Sequence, residues 1–201
     1  MIKNIIFDVG NVLVSFRPDD VMRDLGIPEE KIADMAAATY ASKWWIEFDR
    51  GVMPEEEIIA HMKEDNPQYA KEIDLFFKKG TPYLVIPFDY SPGWLKGLQN
   101  RGYKTYLLSN YSDSMFGLHA KSTFNFMDCI DGKVVSGHVK MIKPDAEIYE
   151  YLLKKFSLEP EECVFIDDRP ENVETAVKLG INGIVFTSEE QANAELEKLL
   201  S

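Results

Sequence analysis

Three short apolar runs in this chain lead directly into residues able to do chemistry. Ile2 to Val9 carries Asp8 near its end, Tyr103 to Leu108 runs into Ser109-Asn110, and Cys163 to Ile166 runs into Asp167-Asp168. Lys143, followed by Pro144, stands at the start of a helical stretch. If the runs lie side by side in a sheet, three carboxylates, a hydroxyl and an ammonium meet on one rim. Carboxylates packed together repel and force protonation. A divalent cation relieves that repulsion, and an all-oxygen donor set favours magnesium over zinc. The cation and Lys143 then offset the charge of a phosphate, whose oxygens Ser109 and a nearby backbone N–H can hold. An aspartate so placed can attack phosphorus and form an aspartyl phosphate. Each piece alone has a plainer use, as a turn, a helix cap or first-turn charge complementation. Their shared position at strand ends is what points to a site.

The elements that must position these residues follow from periodicity. Ile2 to Val9 is β-branched and apolar, and stops at Gly10-Asn11. From Phe16 to Asp89 the pattern turns helical. Val21, Met22 and Leu25 share a face before Gly26, and Pro28 opens a helix carrying Ile32, Met35 and Ala36. Pro54 precedes Ile58, Ile59 and Met62, and a further helix with Ile73, Phe76 and Phe77 stops near Gly80. After Asp89, strands and helices alternate. A helix around Trp94, Leu95 and Leu98 precedes the Tyr103 strand, and helices start at Lys143-Pro144 and Pro170. Cys129 to Val135 reads as a hairpin-like excursion, because Asp131-Gly132 is a turn signal. Ile184-Val185-Phe186 is a last strand before a Glu-rich terminal helix. This alternation predicts an α/β fold: a doubly wound, Rossmann-like parallel sheet in residues 1–15 and 90–201, with a helical cap inserted at 16–89.

Composition narrows the class. The chain has 201 residues, 45% of them hydrophobic, enough for a buried core. Lys and Arg number 22 against 34 Asp and Glu, a formal net charge of −12. Such a surface repels polyanions and argues against nucleic-acid binding, while leaving room for a small anion in a locally positive pocket. The two cysteines, Cys129 and Cys163, form no CxxC and have no His-rich partner cluster, which argues against a disulfide framework or a zinc site. No run approaches the roughly 18 apolar residues of a membrane span, and the N-terminus lacks signal-peptide flanks. The expectation is a soluble cytoplasmic protein without a membrane partner, of unspecified oligomeric state.

Four segments together resemble a known family. Phe7-Asp8-Val9-Gly10-Asn11-Val12-Leu13, Leu107-Leu108-Ser109-Asn110, Ile142-Lys143-Pro144-Asp145 and Phe165-Ile166-Asp167-Asp168 resemble the four motifs of the haloacid dehalogenase superfamily. The first looks most like the subgroup that includes glucose-1-phosphate phosphatase. The resemblance implies a magnesium-dependent phosphatase acting on a small phosphorylated metabolite, with a sugar phosphate favoured. It implies Asp8 as nucleophile and metal ligand, Asp168 as metal ligand, and Ser109, with Asn110 beside it, and Lys143 as phosphate ligands. Asp167 is then an auxiliary carboxylate, and Asn172 orients the acidic loop. Within the family the competing readings are a dehalogenase, against which the Asp167-Asp168 pair argues, and a phosphonatase, which needs a cap lysine such as Lys43 or Lys63.

One position departs from the family pattern. The second Asp that usually follows the nucleophile by two residues, as general acid and base, is Gly10 here. The backbone carbonyl at that position can still meet the metal, but proton transfer by a positioned acid is worth about 10²–10⁴ in rate. The favoured expectation is an enzyme that handles good leaving groups, such as an anomeric sugar phosphate or an acyl phosphate; the alternative is that a water or a cap residue supplies the proton. A non-catalytic member that has lost the acid is the remaining reading. In the cap, Trp44 and Trp45, with Arg50 a turn later, either close over the substrate or pack the helices together. Arg17 either faces the phosphate or is a solvated hinge residue.

Overall fold

The computed structural model describes residues 1–200. Strand β1 (Asn4–Phe7) is buried along its whole length, and β2 (Val14–Phe16) leads away from it. Five helices follow: α1 (Pro18–Asp24), α2 (Glu29–Ala38), α3 (Lys43–Arg50), α4 (Glu55–Asp65) and α5 (Ala70–Leu75), the last continued by a π-helical stretch at Phe76–Gly80. The chain returns through β3 (Val85–Pro87), then α6 (Ser91–Asn100), β4 (Lys104–Ser109) and α7 (Asp113–Ser122). It continues through β5 (Gly132–Val135), α8 (Ser136–Val139), α9 (Ala146–Phe156) and β6 (Cys163–Asp167). It closes with α10 (Pro170–Lys178), β7 (Asn182–Val185) and α11 (Glu189–Leu200).

The five main strands form a parallel sheet in the order β5-β4-β1-β6-β7. Alternation in β1 feeds two cores. Ile5 and Phe7 pack with Leu95, Leu98 and Leu196 on one face, whereas Ile6 packs with Tyr149, Leu152 and Ala176 on the other. Both faces are therefore covered by helices, the doubly wound arrangement expected of buried parallel strands. Register decides where the site forms. Phe7 lies opposite Leu107 on one side and Ile166 on the other, so Asp8, Ser109 and Asp167 leave the sheet at the same edge.

The excursion from this sheet is bounded by a two-stranded ribbon. β2 and β3 run antiparallel, with Val14 opposite Pro87 and Phe16 opposite Val85. The outgoing and returning chains are thus hydrogen-bonded side by side. Among the helices between them, Met35, Phe48, Ile58, Met62 and Phe76 are buried together. Helix α3 is capped by the Ser42 hydroxyl, which accepts from the Trp45 N–H at 3.3 Å, and it ends at Gly51 with φ +70°.

Residues 129–135 do not make the expected hairpin. Gly132–Val135 is a parallel edge strand, pairing Tyr106 with Gly132 and Ser109 with Val135. The Asp131 carboxylate accepts from the Lys104 ammonium at 2.7 Å and from the Thr105 N–H at 3.0 Å, which ties the start of β5 to β4. Gly132 is required for packing rather than for a turn, since a Cβ there would stand 2.5 Å from the Phe156 ring. Helix α7 has no counterpart in the sequence reading; its Ser112 cap and its buried Met115, Phe116 and His119 are interrupted by Gly117, Ser114 and other weak helix formers. Among the described residues no helix is long and apolar enough to cross a membrane.

Candidate active site

Asp8 follows β1, and its N–H donates to the Ile166 carbonyl at 2.9 Å, extending the sheet by one bond. The Lys143 ammonium donates to three acceptors: Asp8 Oδ1 at 2.8 Å, Asp167 Oδ2 at 2.6 Å and the Leu108 carbonyl at 2.9 Å. All three of its protons are used, which is what a buried ammonium needs. Burial alone would lower its pKa, but Asp167 and Asp8 outweigh that effect and hold it above the ordinary lysine value. Asp8 is pushed up to about 6, chiefly by burial, with Lys143 pulling down and the charges of Asp167 and Asp168 pushing up. Asp168 is likewise raised, again mainly by burial.

Asn110 holds Lys143 from behind. Its side chain donates to the Lys143 carbonyl at 2.9 Å and accepts from the Lys143 N–H at 2.8 Å. The side-chain amide thus braces the Lys143 backbone, leaving the Asn110 backbone N–H as its group for a phosphate oxygen. Asp167 is saturated as well. Beyond Lys143 it accepts from Asn172 Nδ2 at 2.9 and 3.0 Å and from the Arg169 N–H at 2.8 Å. Asn11, with φ +56°, donates to Asp168 Oδ2 at 3.1 Å.

Whether a cation fits can be judged from the donors. Carboxylate oxygens of Asp8, Asp167 and Asp168 all lie within 4.8 Å of one another. Asp167 has its acceptors filled, which leaves Asp8 and Asp168 as the carboxylates with capacity to spare. The Asn172 amide turns its nitrogen to Asp167, and its buried Oδ1 has no hydrogen-bond partner. Crowded carboxylates and a raised Asp8 at one cavity wall suit a hard divalent cation.

The cavity itself has a volume of about 560 Å³. Asp8, Ser109, Lys143 and Asp168 line its floor, while Tyr40, Trp45, Asp49 and Arg50 reach it from the inserted helices.

A family model for haloacid dehalogenase-like hydrolases matches residues 2–180. The chain belongs to this family. Flavin mononucleotide hydrolase 1 of Arabidopsis thaliana is 28% identical over 97% of this chain and 76% of its own length. The sesquiterpene phosphatase astK of Aspergillus oryzae is 27% identical over 98% and 96%. Among solved structures, a haloacid dehalogenase family enzyme from Bacteroides thetaiotaomicron, in complex with magnesium and inorganic phosphate, superposes with a TM-score of 0.74. It covers 94% of this chain and 96% of its own at 23% identity, a likeness of fold. The chain is therefore a haloacid dehalogenase-like hydrolase, and its similarity to phosphatases does not single out the glucose-1-phosphate subgroup.

In this hydrolase two expected site residues lie elsewhere. Arg17 precedes α1, pairs with Asp24 at 3.1 Å and Asp20 at 3.5 Å, and borders a separate surface groove with Tyr83 and Ile86. Trp44 stacks on His61 with ring centroids 4.4 Å apart and donates its indole N–H to Asp65 at 2.8 Å, outside the cavity. Each faces away because of how its helix docks. Trp45 and Arg50 do line the cavity, Arg50 reaching Asp145 at 3.4 Å. His138 is engaged by Asp113 at 2.9 Å.

Asp49 is the residue that sequence reasoning passed over. It lies one helical turn after Trp45, so a face that brings Trp45 to the cavity brings Asp49 too; that spacing was the available signal. Burial pushes its carboxyl up to about 7, against the pull of the Ser112 backbone N–H and the Trp45 indole, with Asp8 adding to the rise. Asn11 and Tyr111 also line the cavity. Asn11 could have been flagged as an asparagine at a turn suited to positive φ.

Proposed function

We propose that this hydrolase is a magnesium-dependent phosphatase that removes phosphate from a small metabolite through an aspartyl phosphate on Asp8. Helices within residues 16–89 serve as a cap over a core of residues 1–15 and 90–201. The observation that carries the reading is the Asp8 carboxylate, held 2.8 Å from Lys143 on the floor of a cavity that Ser109 and Asp168 also line.

Asp8, Asp168 and the Gly10 carbonyl would hold the magnesium, whose charge makes a phosphate dianion tolerable beside carboxylates. Lys143 keeps Asp8 oriented and screens the incoming phosphate, with the Ser109 hydroxyl and the Asn110 N–H available to its oxygens. Asp8 attacks phosphorus in line, the ester oxygen leaves, and water then cleaves the acyl phosphate, freeing Asp8. Asp167 and Asn172 hold Lys143 and the acidic loop in place without touching substrate.

The substrates named for the similar proteins differ widely outside the phosphate. For this chain the cavity wall favours a sugar phosphate: the aromatic faces of Tyr40 and Trp45 stand beside the polar Ser42, Arg50 and Asn11. A panel of sugar phosphates, nucleotides and acyl phosphates, assayed with and without magnesium, tests substrate and metal together. Asp8→Asn should abolish turnover with the thermal transition unchanged, and surviving activity would refute the nucleophile. Asp168→Ala should raise the magnesium needed for half-maximal rate by at least about tenfold.

A further inference from the structure

Gly10 has no proton to give, so the leaving oxygen in the proposed hydrolysis lacks a donor from the loop that carries the nucleophile. Resting on that reading of the site, we propose that Asp49, at the end of α3, is the catalytic acid and base, meeting the leaving group from the cap side of the cavity.

Position comes first. Asp8 and Asp49 line the same cavity, one from the sheet and the other from the inserted helices. The backbone of Asp49 is clamped onto the core: its carbonyl accepts the Ser136 hydroxyl at 2.6 Å. Two residues on, Gly51 lies so close to α8 that a Cβ there would stand 3.0 Å from the Gly137 Cα and carbonyl oxygen. The backbone that carries the Asp49 side chain is thus fixed against the core.

Chemistry separates Asp49 from the other carboxylates of the cavity. Asp8 is paired with Lys143, Asp145 with Arg50, and Asp168 accepts from the Asn11 amide beside the carboxylate cluster. Among the described residues no ion pair reaches Asp49; what lowers its pKa is the neutral N–H of Ser112 and of the Trp45 indole, together with the charge of Lys143 across the cavity. A half-buried carboxyl on a cavity wall with no ion-pair partner holds a proton to higher pH than an ion-paired one. Its value of about 7 agrees with that environment.

The charged groups around it come from several elements. Asp8 and Lys143 act on it from the floor. Tyr111 flanks it, and Arg50 follows it on α3. On the α8 side Lys140 stands near Gly51, while His138 is taken up by Asp113. On the far side of α3, towards α4, His61 stacks on Trp44.

The steps balance. As Asp8 bonds to phosphorus and the P–O ester bond breaks, the Asp49 proton passes to the leaving oxygen, releasing an alcohol. The Asp49 carboxylate then takes a proton from the water that attacks the acyl phosphate, which returns Asp8 as a carboxylate and Asp49 to its acid form. With a donor present, substrates need not be confined to anomeric or acyl phosphates.

The test compares kcat/KM for p-nitrophenyl phosphate, whose leaving group needs no proton, with that for a sugar 6-phosphate, in wild type and in Asp49→Asn with saturating magnesium. The ratio of the two substrates within one preparation does not depend on the fraction folded. Loss of the acid should lower kcat/KM by about 10²–10⁴ for the sugar phosphate and by at least about tenfold less for the nitrophenyl ester. The wild-type rate on the sugar phosphate should decline as pH rises through the Asp49 value, and the variant should lack that limb. Equal losses on both substrates, or none on either, would overturn the assignment. Full activity of Asp8→Asn on both would instead remove the phosphatase reading beneath it.

Discussion

The Lys143 ammonium lies 2.6 Å from the Asp167 carboxylate, and neither side chain has appreciable contact with solvent. A buried pair of this kind adds little over an apolar substitute, but removing one partner strands the other. Asp167→Ala would leave Lys143 with Asp8 as its one counter-charge and would strand the Asn172 amide and the Arg169 N–H. The expected cost is about 3–5 kcal/mol in stability from urea unfolding. Hydrolysis should disappear as well, because Lys143 would lose the anchor that holds it against Asp8. A loss below about 1 kcal/mol would mean that the network rearranges rather than breaks.

Gly51 sets the distance between the inserted helices and the sheet domain. Its φ of +70° disfavours any side chain, and a Cβ would meet Lys140 Nζ at 2.9 Å and the Gly137 backbone at 3.0 Å. Gly51→Ala should cost about 1–2 kcal/mol in a denaturant melt from the left-handed backbone alone. The same change should push Asp49 away from the floor, lowering kcat on alkyl phosphates more than on p-nitrophenyl phosphate. Unchanged kinetics in a destabilised variant would show that closure does not depend on this contact.

The floor of the site was legible in the sequence because its residues sit at the ends of buried strands. Apolar, β-branched runs alternating with helices read as buried parallel strands, and parallel strands end on the same side of the sheet, which is where the register puts Asp8, Ser109 and Asp167. The roof was not legible in the same way. Which side of α3 faces the cavity depends on how five short helices dock, and Trp44 and Trp45 are adjacent residues that point in different directions. Charge and sequence position draw Arg17 towards the site, yet the helix it precedes supplies Asp20 and Asp24 as partners. The β5 edge is hidden in the sequence because Asp131-Gly132 has the composition of a hairpin turn, and only its contacts with Lys104 and Thr105 reveal a strand start.

Those contacts make part of the stability depend on pH. Burial by itself would raise the Asp131 pKa, but Lys104, the Thr105 N–H and Gln99 outweigh it and hold the carboxyl below its ordinary value. A depressed folded-state pKa means stabilisation that is present above the unfolded value, near 3.9, and lost as pH falls through the folded one. The stability difference between wild type and Asp131→Asn should therefore be constant above about pH 5 and shrink in more acidic solution. Urea unfolding at a series of pH values measures it. A gap that widens towards low pH would contradict the sign.

Gly10 leaves room for the acid it lacks. A Cβ built there meets nothing nearer than Asp8 Oδ2 at 3.9 Å, and its φ lies outside the left-handed region. Neither sterics nor backbone geometry therefore requires glycine at this position. If Asp49 supplies the proton, Gly10→Asp in an Asp49→Asn background should restore part of the lost kcat/KM on a sugar 6-phosphate, by at least about tenfold over the single variant. In the wild-type background the same change should add little, since a donor is already present. Recovery in both backgrounds by the same factor would mean that the two carboxyls act independently, and that the leaving group had no donor before Gly10 was replaced.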